Sequence, residues 1–218
     1  MNVFDIIGPI MIGPSSSHTA GAVRIGKTAA LLMENPIVEA DILLHGSFAK
    51  TYKGHGTDKA LVGGILKMDP EDIRIRNSLE IAKRKGIQVT FRTGELENAH
   101  PNTAVITLKD AQGGTLSVQG ASVGGGNIVI NHINNMEVYF TGQYPTLIIL
   151  HEDIPGAIAE VTGYVAKFSV NICNFRYNRQ EKGGLAIMTI EMDNELDESI
   201  NEVIRKMPYV INSILLKI

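Results

Sequence analysis

A chain of 218 residues suffices for one generous domain or two small ones, and 44% hydrophobic against 20% charged residues is the balance of an ordinary globular protein. A formal net charge of -3 leaves no basic footprint for a nucleic acid, so no polyanion partner is expected. No apolar run approaches 18 residues, and the opening MNVFDIIGPI has neither a basic leader nor a small-residue cleavage site, so membrane insertion and export are not expected and the cytoplasm is the default location.

The first element in chain order is a helix. AGAVRIGKTAALLM has helical apolar spacing, and Gly13-Pro14-Ser15-Ser16-Ser17-His18-Thr19 stands immediately ahead of it. One capping Ser or Thr would be an ordinary helix start, but three serines followed by His-Thr exceed that need. Free N–H groups and the positive end of the helix dipole favour a carboxylate or phosphate there, and the hydroxyls add donors at adjustable angles. His18 titrates near neutrality, so it can pass a proton as well as bind.

VEADILLHGSF reads as a strand, with His45 near its end as a satisfied core or surface residue. GHGTDKALVGGILKM reads as a loop running into a second helix. In Lys53-Gly54-His55-Gly56-Thr57-Asp58-Lys59-Ala60 the two glycines let the backbone bend and leave the His55 ring open. Asp58 can cap the helix or orient an imidazole, and Lys59 can hold an anion. The plain alternative is a solvent-exposed loop histidine. A helix at SLEIAKRKG and strands at QVTFRTG, TAVITLKD, GTLSVQGASV, NIVINHI and EVYFTG follow, with DAQGGT as a hairpin turn. Ala121-Ser122-Val123-Gly124-Gly125-Gly126-Asn127 lacks the spacing and following helix of a nucleotide-binding loop. A bulge or turn and a close backbone approach to a ligand are both open for it.

A boundary between two domains, 1–144 and 145–218, is expected at Tyr144-Pro145, where a Gly- and Asn-rich stretch gives way to the apolar TLIILH. From there the pattern is strand, helix (AIAEVTGYVAKF), strand (SVNICNFRYNR), hairpin turn, strand (LAIMTIEM), helix (LDESINEVIRKM), strand (YVINSILLKI), the ferredoxin-like βαββαβ order. Ile158, Val161, Val165 and Phe168 share one face of the first helix, and Leu196, Ile200, Val203, Ile204 and Met207 one face of the second. The whole is an α+β chain, a mixed α/β first domain followed by the ferredoxin-like module. Cys173 is the single cysteine, which excludes an intrachain disulfide, a four-cysteine zinc site and a cluster held by this chain's own thiolates. It reads as a small hydrophobe buried on a strand.

The order and length of the second domain, with Asp153-Ile154-Pro155-Gly156 at the turn into its first helix, resemble the ACT domain, a small regulatory module that commonly binds amino acids. Pro155 can start that helix and Gly156 lets the backbone approach a carboxylate, with Asp153, Asn171 and Ile172 near such a ligand. A simple helix start is the alternative.

GPSSSHTAG, then HGSFAKTYKGHGTDKALVGG, SVGGGN and the ACT-like module, resembles along essentially its whole length the beta chain of the two-chain, iron-sulfur L-serine dehydratases. The resemblance implies conversion of L-serine to pyruvate and ammonia without pyridoxal phosphate, at a site shared with an alpha chain whose cysteines hold a [4Fe-4S] cluster. This chain would then bind no metal. His18 and His55 would be catalytic, one the base and the other its partner, and Ser15, Ser16, Ser17, Thr19, Thr57 and Asp58 would bind substrate. The region before the ACT-like module is also similar to the allosteric substrate-binding domain of certain phosphoglycerate dehydrogenases. Two other classes stay open, a stand-alone amino-acid sensor and a detached regulatory half of such a dehydrogenase. Self-association through the ACT-like module is expected, because a four-stranded sheet leaves edges to cover.

Overall fold

The computed structural model describes residues 11–194 and 196–217. The opening MNVFDIIGPI lies outside the described residues. The chain divides into two compact units, the first ending at Asn134 and the second starting at Asn135. No helix among the described residues is long and apolar enough to cross a membrane.

In the first unit a π-helical turn, Ser16–Gly21, runs directly into α1 (Ala22–Leu31), so the serines and His18 form the helix's opening turn instead of standing ahead of it. Only Ser15 has the extended backbone of a cap. After β1 (Ile37–Leu44) the chain does not continue as a strand through Phe48. It enters α2 (Gly46–His55), which ends at the left-handed Gly56 and gives way at once to α3 (Thr57–Ile65). The expected loop around His55 is therefore the joint between two helices. Gly46 makes the turn out of β1 with φ +57°, and a Cβ there would stand 2.6 Å from the Pro101 carbonyl oxygen, so glycine is required on both counts.

A short 3₁₀ turn, Ile73–Asn77, leads to α4 (Ser78–Arg84), then β2 (Gln88–Thr93), β3 (Thr103–Asp110), β4 (Thr115–Gly124) and β5 (Asn127–Ile133). These strands lie in the order β2-β1-β3-β4-β5, the β1–β2 pair parallel and the rest antiparallel. The β3–β4 hairpin turns as expected at DAQGGT, where the Asp110 carboxylate accepts from the N–H groups of Gln112 and Gly114. Ile25, Ile42, Leu44, Phe48, Leu61, Ile106, Leu108 and Ile130 are fully buried and hold the sheet and helices together. Helices α1 and α3 touch through glycine, with Gly26 against the Leu61 carbonyl and Gly64 against that of Val23.

The second unit opens with β6 (Met136–Phe140), ten residues before the expected 144/145 boundary. This strand packs on two strands of the module that follows, and just past it the Glu191 carboxylate accepts from both the N–H and the hydroxyl of Thr141, each at 2.8 Å. The βαββαβ module follows as β7 (Thr146–Glu152), α5 (Ala157–Ala166), β8 (Ile172–Arg179), β9 (Leu185–Met192), α6 (Glu198–Arg205) and β10 (Val210–Leu216). Its sheet is antiparallel in the order β10-β7-β9-β8, which bears out the α+β architecture.

The core unites Leu147, Ile149, Met188 and Ile190 with Ala157, Val161 and Val165 of α5 and Ile200 and Ile204 of α6. Ile158 and Phe168 turn out to solvent, as does Val203, so the buried stripe of each helix is narrower than the apolar spacing implies. Cys173 is exposed, not buried. The register of β8 against β9 skips it between Ile172 and Asn174, so Cys173 is the extra residue of a β-bulge, and the inward phase resumes at Phe175 and Tyr177.

Candidate functional site

The opening turn of α1 and the α2–α3 joint bring both histidine motifs together. The rings of His18 and His55 stand edge to face, centroids 4.8 Å apart and planes at 85°. His18 is buried, with the Phe48 ring on another side at 5.2 Å. Both its ring nitrogens face hydroxyls: Ser15 Oγ lies 3.3 Å from Nδ1 and Ser47 Oγ 3.3 Å from Nε2. Burial lowers the pKa of His18 first, and the nearby charge of His55 lowers it further, against an opposing hydrogen bond from the ring to the Ser47 backbone. At neutral pH it is therefore a neutral imidazole, able to accept a proton.

His55 is exposed. It borders a cleft of about 280 Å³ together with Gly13, Pro14, Thr19, Lys53, Lys59 and Arg76. Among the described residues three cations and no carboxylate line this cleft, so an anion is favoured there. Thr19 and Thr57 each bury a hydroxyl oxygen with no hydrogen-bond partner, a cost of about 1–3 kcal/mol apiece that a polar ligand can offset. Of the other expected substrate contacts, Ser16 and Ser17 are half-buried in the same π-helical turn. The Asp58 carboxylate accepts from the Lys59 N–H and is directed at no imidazole.

Two contributors escape a reading of the sequence. Ser47 lies in HGSF, which reads as a strand end, and Asn102 lies far along the chain, whereas Ser122 belongs to the Gly-rich cluster where a close approach to a ligand is one of the two open readings. Ser122 is fully buried against Gly21, where a Cβ would overlap its hydroxyl, and its N–H donates to the Asn102 carbonyl. His45 is a structural residue, as expected: its Nδ1 accepts from the Leu96 N–H at 3.1 Å.

The residues expected at a regulatory ligand in the second unit are distributed differently. Asp153 is fully engaged, its carboxylate accepting from Tyr177 Oη at 2.5 Å, Arg179 Nη1 at 2.8 Å and the Gly183 N–H at 3.0 Å. Those three donors, with Tyr177 the largest contributor, bring its pKa down to about 2. The Asn171 amide donates to Asp193 at 2.6 Å, and Ile172 packs against the core. Helix α5 begins at Ala157, so Pro155 precedes the helix instead of starting it, and Gly156 (φ +93°) is the cap with open space around it.

The depressed Asp153 pKa carries a stability prediction. Its contribution is complete above the unfolded carboxylate value near 4 and is lost as pH falls toward 2. Asp153→Asn should thus lower the thermal midpoint at pH 7, and the difference from wild type should vanish by about pH 2. A pH-independent difference in thermal scans would contradict this.

Comparison with known proteins places these motifs in context. Residues 2–85 match the family model described as serine dehydratase beta chain, and residues 147–212 match an AHAS small subunit-like ACT domain. The probable L-serine dehydratase, beta chain, of Bacillus subtilis (strain 168) is 46% identical over 210 residues, 96% of this chain and 95% of that one. The L-serine dehydratase, beta chain, of Peptoniphilus asaccharolyticus is 40% identical over 93% of this chain and 92% of its own. A D-3-phosphoglycerate dehydrogenase of Bacillus subtilis (strain 168) is 27% identical over 88% of this chain but only 36% of its own length.

Proposed function

Because the chain belongs to the family of L-serine dehydratase beta chains, we propose that its first unit is one half of a lyase site that converts L-serine to pyruvate and ammonia, completed by an alpha chain. The observation that carries this reading is the His18–His55 pair, one imidazole buried and one open, beside a cationic cleft.

The geometry supports separate roles. His55 is the base: its ring borders the cleft, and among the described residues no side chain hydrogen-bonds it, so it would meet a substrate α-proton unencumbered. His18 is its partner, held neutral next to it so that a proton gained on His55 meets no second positive charge. The substrate carboxylate would sit at the start of the π-helical turn. There the N–H groups of Ser16 and Ser17 have no preceding helical carbonyl to reach, and the Ser15 and Thr19 hydroxyls are close by. Thr57, at the helix start after His55, completes the substrate contacts in this scheme, while Asp58, whose carboxylate holds the Lys59 N–H and is outside the cleft lining, caps the chain there and has no substrate contact. The same donors stabilise charge that builds on the carboxylate as the α-proton leaves. Loss of that proton and of the β-hydroxyl, as water, gives aminoacrylate, which tautomerises and takes up water to yield pyruvate and ammonia.

The single exposed cysteine does not fit a cluster cage, and among the described residues no three His, Cys, Asp or Glu side chains converge. A [4Fe-4S] cluster would therefore be held by the alpha chain, and bound there it supplies Lewis acidity toward the serine hydroxyl. Pyridoxal phosphate has no part in the scheme, and a cytoplasmic setting goes with it.

The ACT domain would regulate. With Asp153 and Asn171 already paired, an amino-acid ligand would meet mainly the backbone around Pro155 and Gly156. Its edge strands, β8 and β10, suit pairing with a second copy. The likeness to part of a phosphoglycerate dehydrogenase favours a second reading, a regulatory module that binds its ligand without proton transfer.

Co-expression with a cysteine-bearing alpha chain separates the readings. The purified pair should be brown and release pyruvate from serine, while this chain alone should show neither iron absorbance nor serine deamination. Activity from this chain alone would refute the shared site.

A further inference from the structure

Ser47 is placed with unusual care. Gly46 turns the chain so that the Ser47 N–H donates to the Pro101 carbonyl at 2.7 Å, and the Ser47 carbonyl accepts from the Thr51 hydroxyl at 2.8 Å. Pro101 belongs to a short loop that is itself tied down. The Thr103 hydroxyl donates to the His100 carbonyl at 2.6 Å, and the Asn102 carbonyl accepts from the Ser122 N–H on β4 at 3.0 Å. The Ser47 hydroxyl thus reaches His18 Nε2 from a backbone braced on the sheet, with little freedom to choose another partner.

On the opposite side of the ring, Ser15 Oγ already accepts from the His18 backbone N–H at 3.3 Å. Its own proton is then free to donate to Nδ1, which leaves the ring proton on Nε2, facing Ser47.

We propose that Ser47 is a positioning residue: it accepts from His18 Nε2–H, fixing the ring's tautomer and the edge-to-face angle at which it meets His55. This rests on the lyase reading for its catalytic consequence, but the tautomer belongs to the chain itself. A hydroxyl bond to an imidazole that does not touch the substrate should act on turnover and leave substrate affinity alone.

The test uses the full chain labelled with ¹⁵N-histidine, read by NMR without an alpha chain, and then the reconstituted pair. Wild type should show His18 as the Nε2–H tautomer. Ser47→Ala should redistribute the two tautomers and lower kcat about tenfold while KM stays within about twofold, and Ser47→Thr should restore both. If Ser47→Ala fails to fold, Ser47→Cys, similar in shape but a weak acceptor, carries the same comparison. An unchanged His18 spectrum in the variant, with or without a loss of thermal stability, would overturn the proposal. So would an altered spectrum with unchanged kcat. Because the spectrum needs neither partner nor turnover, failure of the lyase reading would leave the tautomer result standing by itself.

Discussion

His55→Ala should lower the kcat of the reconstituted enzyme by at least about a hundredfold, the usual worth of a positioned general base, with KM for serine changed only a few-fold. The ring contributes little to the packing of the first unit: it is exposed, and it meets His18 edge to face. The variant should therefore fold and unfold like wild type, and the loss will read as chemistry. His18→Ala should cost a similar factor in turnover, but with a difference. His18 is buried against Phe48 and bonded at both nitrogens, so its removal empties a packed site and should also lower the thermal midpoint. Turnover within a few-fold of wild type in His55→Ala would end the base assignment, whatever His18→Ala does.

Gly64→Ala is the second large effect, this time on stability. An added methyl would overlap the Val23 carbonyl oxygen and stand 2.7 Å from the Lys27 nitrogen, both backbone atoms of α1 that no rotamer change can clear. Gly26 presents the same obstacle in the other direction, against the Leu61 carbonyl of α3. Overpacking of this kind costs about 3 kcal/mol, roughly 6–12 °C in midpoint for a domain of this size. Because the π-helical turn that runs into α1 carries Ser16, Ser17 and His18 and α3 carries Thr57, spreading the two helices would also open the site, so activity should fall with stability. Gly54→Ala is the control: it lies in α2 with nothing within 4 Å of the added methyl and should be neutral or slightly stabilising. Thermal unfolding of the two variants decides the point, and equal midpoints would contradict the close helix contact.

Much of this was legible in the sequence for a physical reason. In the second unit, compact apolar strand runs alternate with amphipathic helices and turn signals, and the βαββαβ order follows without tertiary information. The helix α2 was not legible. Phe48 is its buried hydrophobe, Gly54 lies within it, and HGSF continues the apolar run of β1, so nothing periodic marks the start at Gly46. The bulge at Cys173 is similarly silent, because one inserted residue shifts the phase without changing residue types.

The site divides in the same way. His18 and His55 could be singled out because clustered hydroxyls and glycines around an imidazole are uncommon, and the structure sets the two rings 4.8 Å apart. Ser47 and Asn102 carry no local signal, and Ser122 shows only as one member of a Gly-rich stretch; each gains its meaning from the fold that brings them together beside the π-helical turn. Asp153 shows the opposite case. A conspicuous acid at a loop proved to be occupied by three donors of its own unit.

The central claim, that this chain supplies half of an active site whose other half is an alpha chain, is tested most directly by titration. A fixed amount of alpha chain with its cluster intact is mixed with increasing amounts of this chain, wild type or His55→Ala, and serine-dependent pyruvate release is followed. The account predicts that activity rises from zero to a plateau with wild type, stays near zero with His55→Ala, and falls when the variant is added in excess to the active pair. Full activity from the alpha chain alone, or rescue by His55→Ala as good as by wild type, would contradict it.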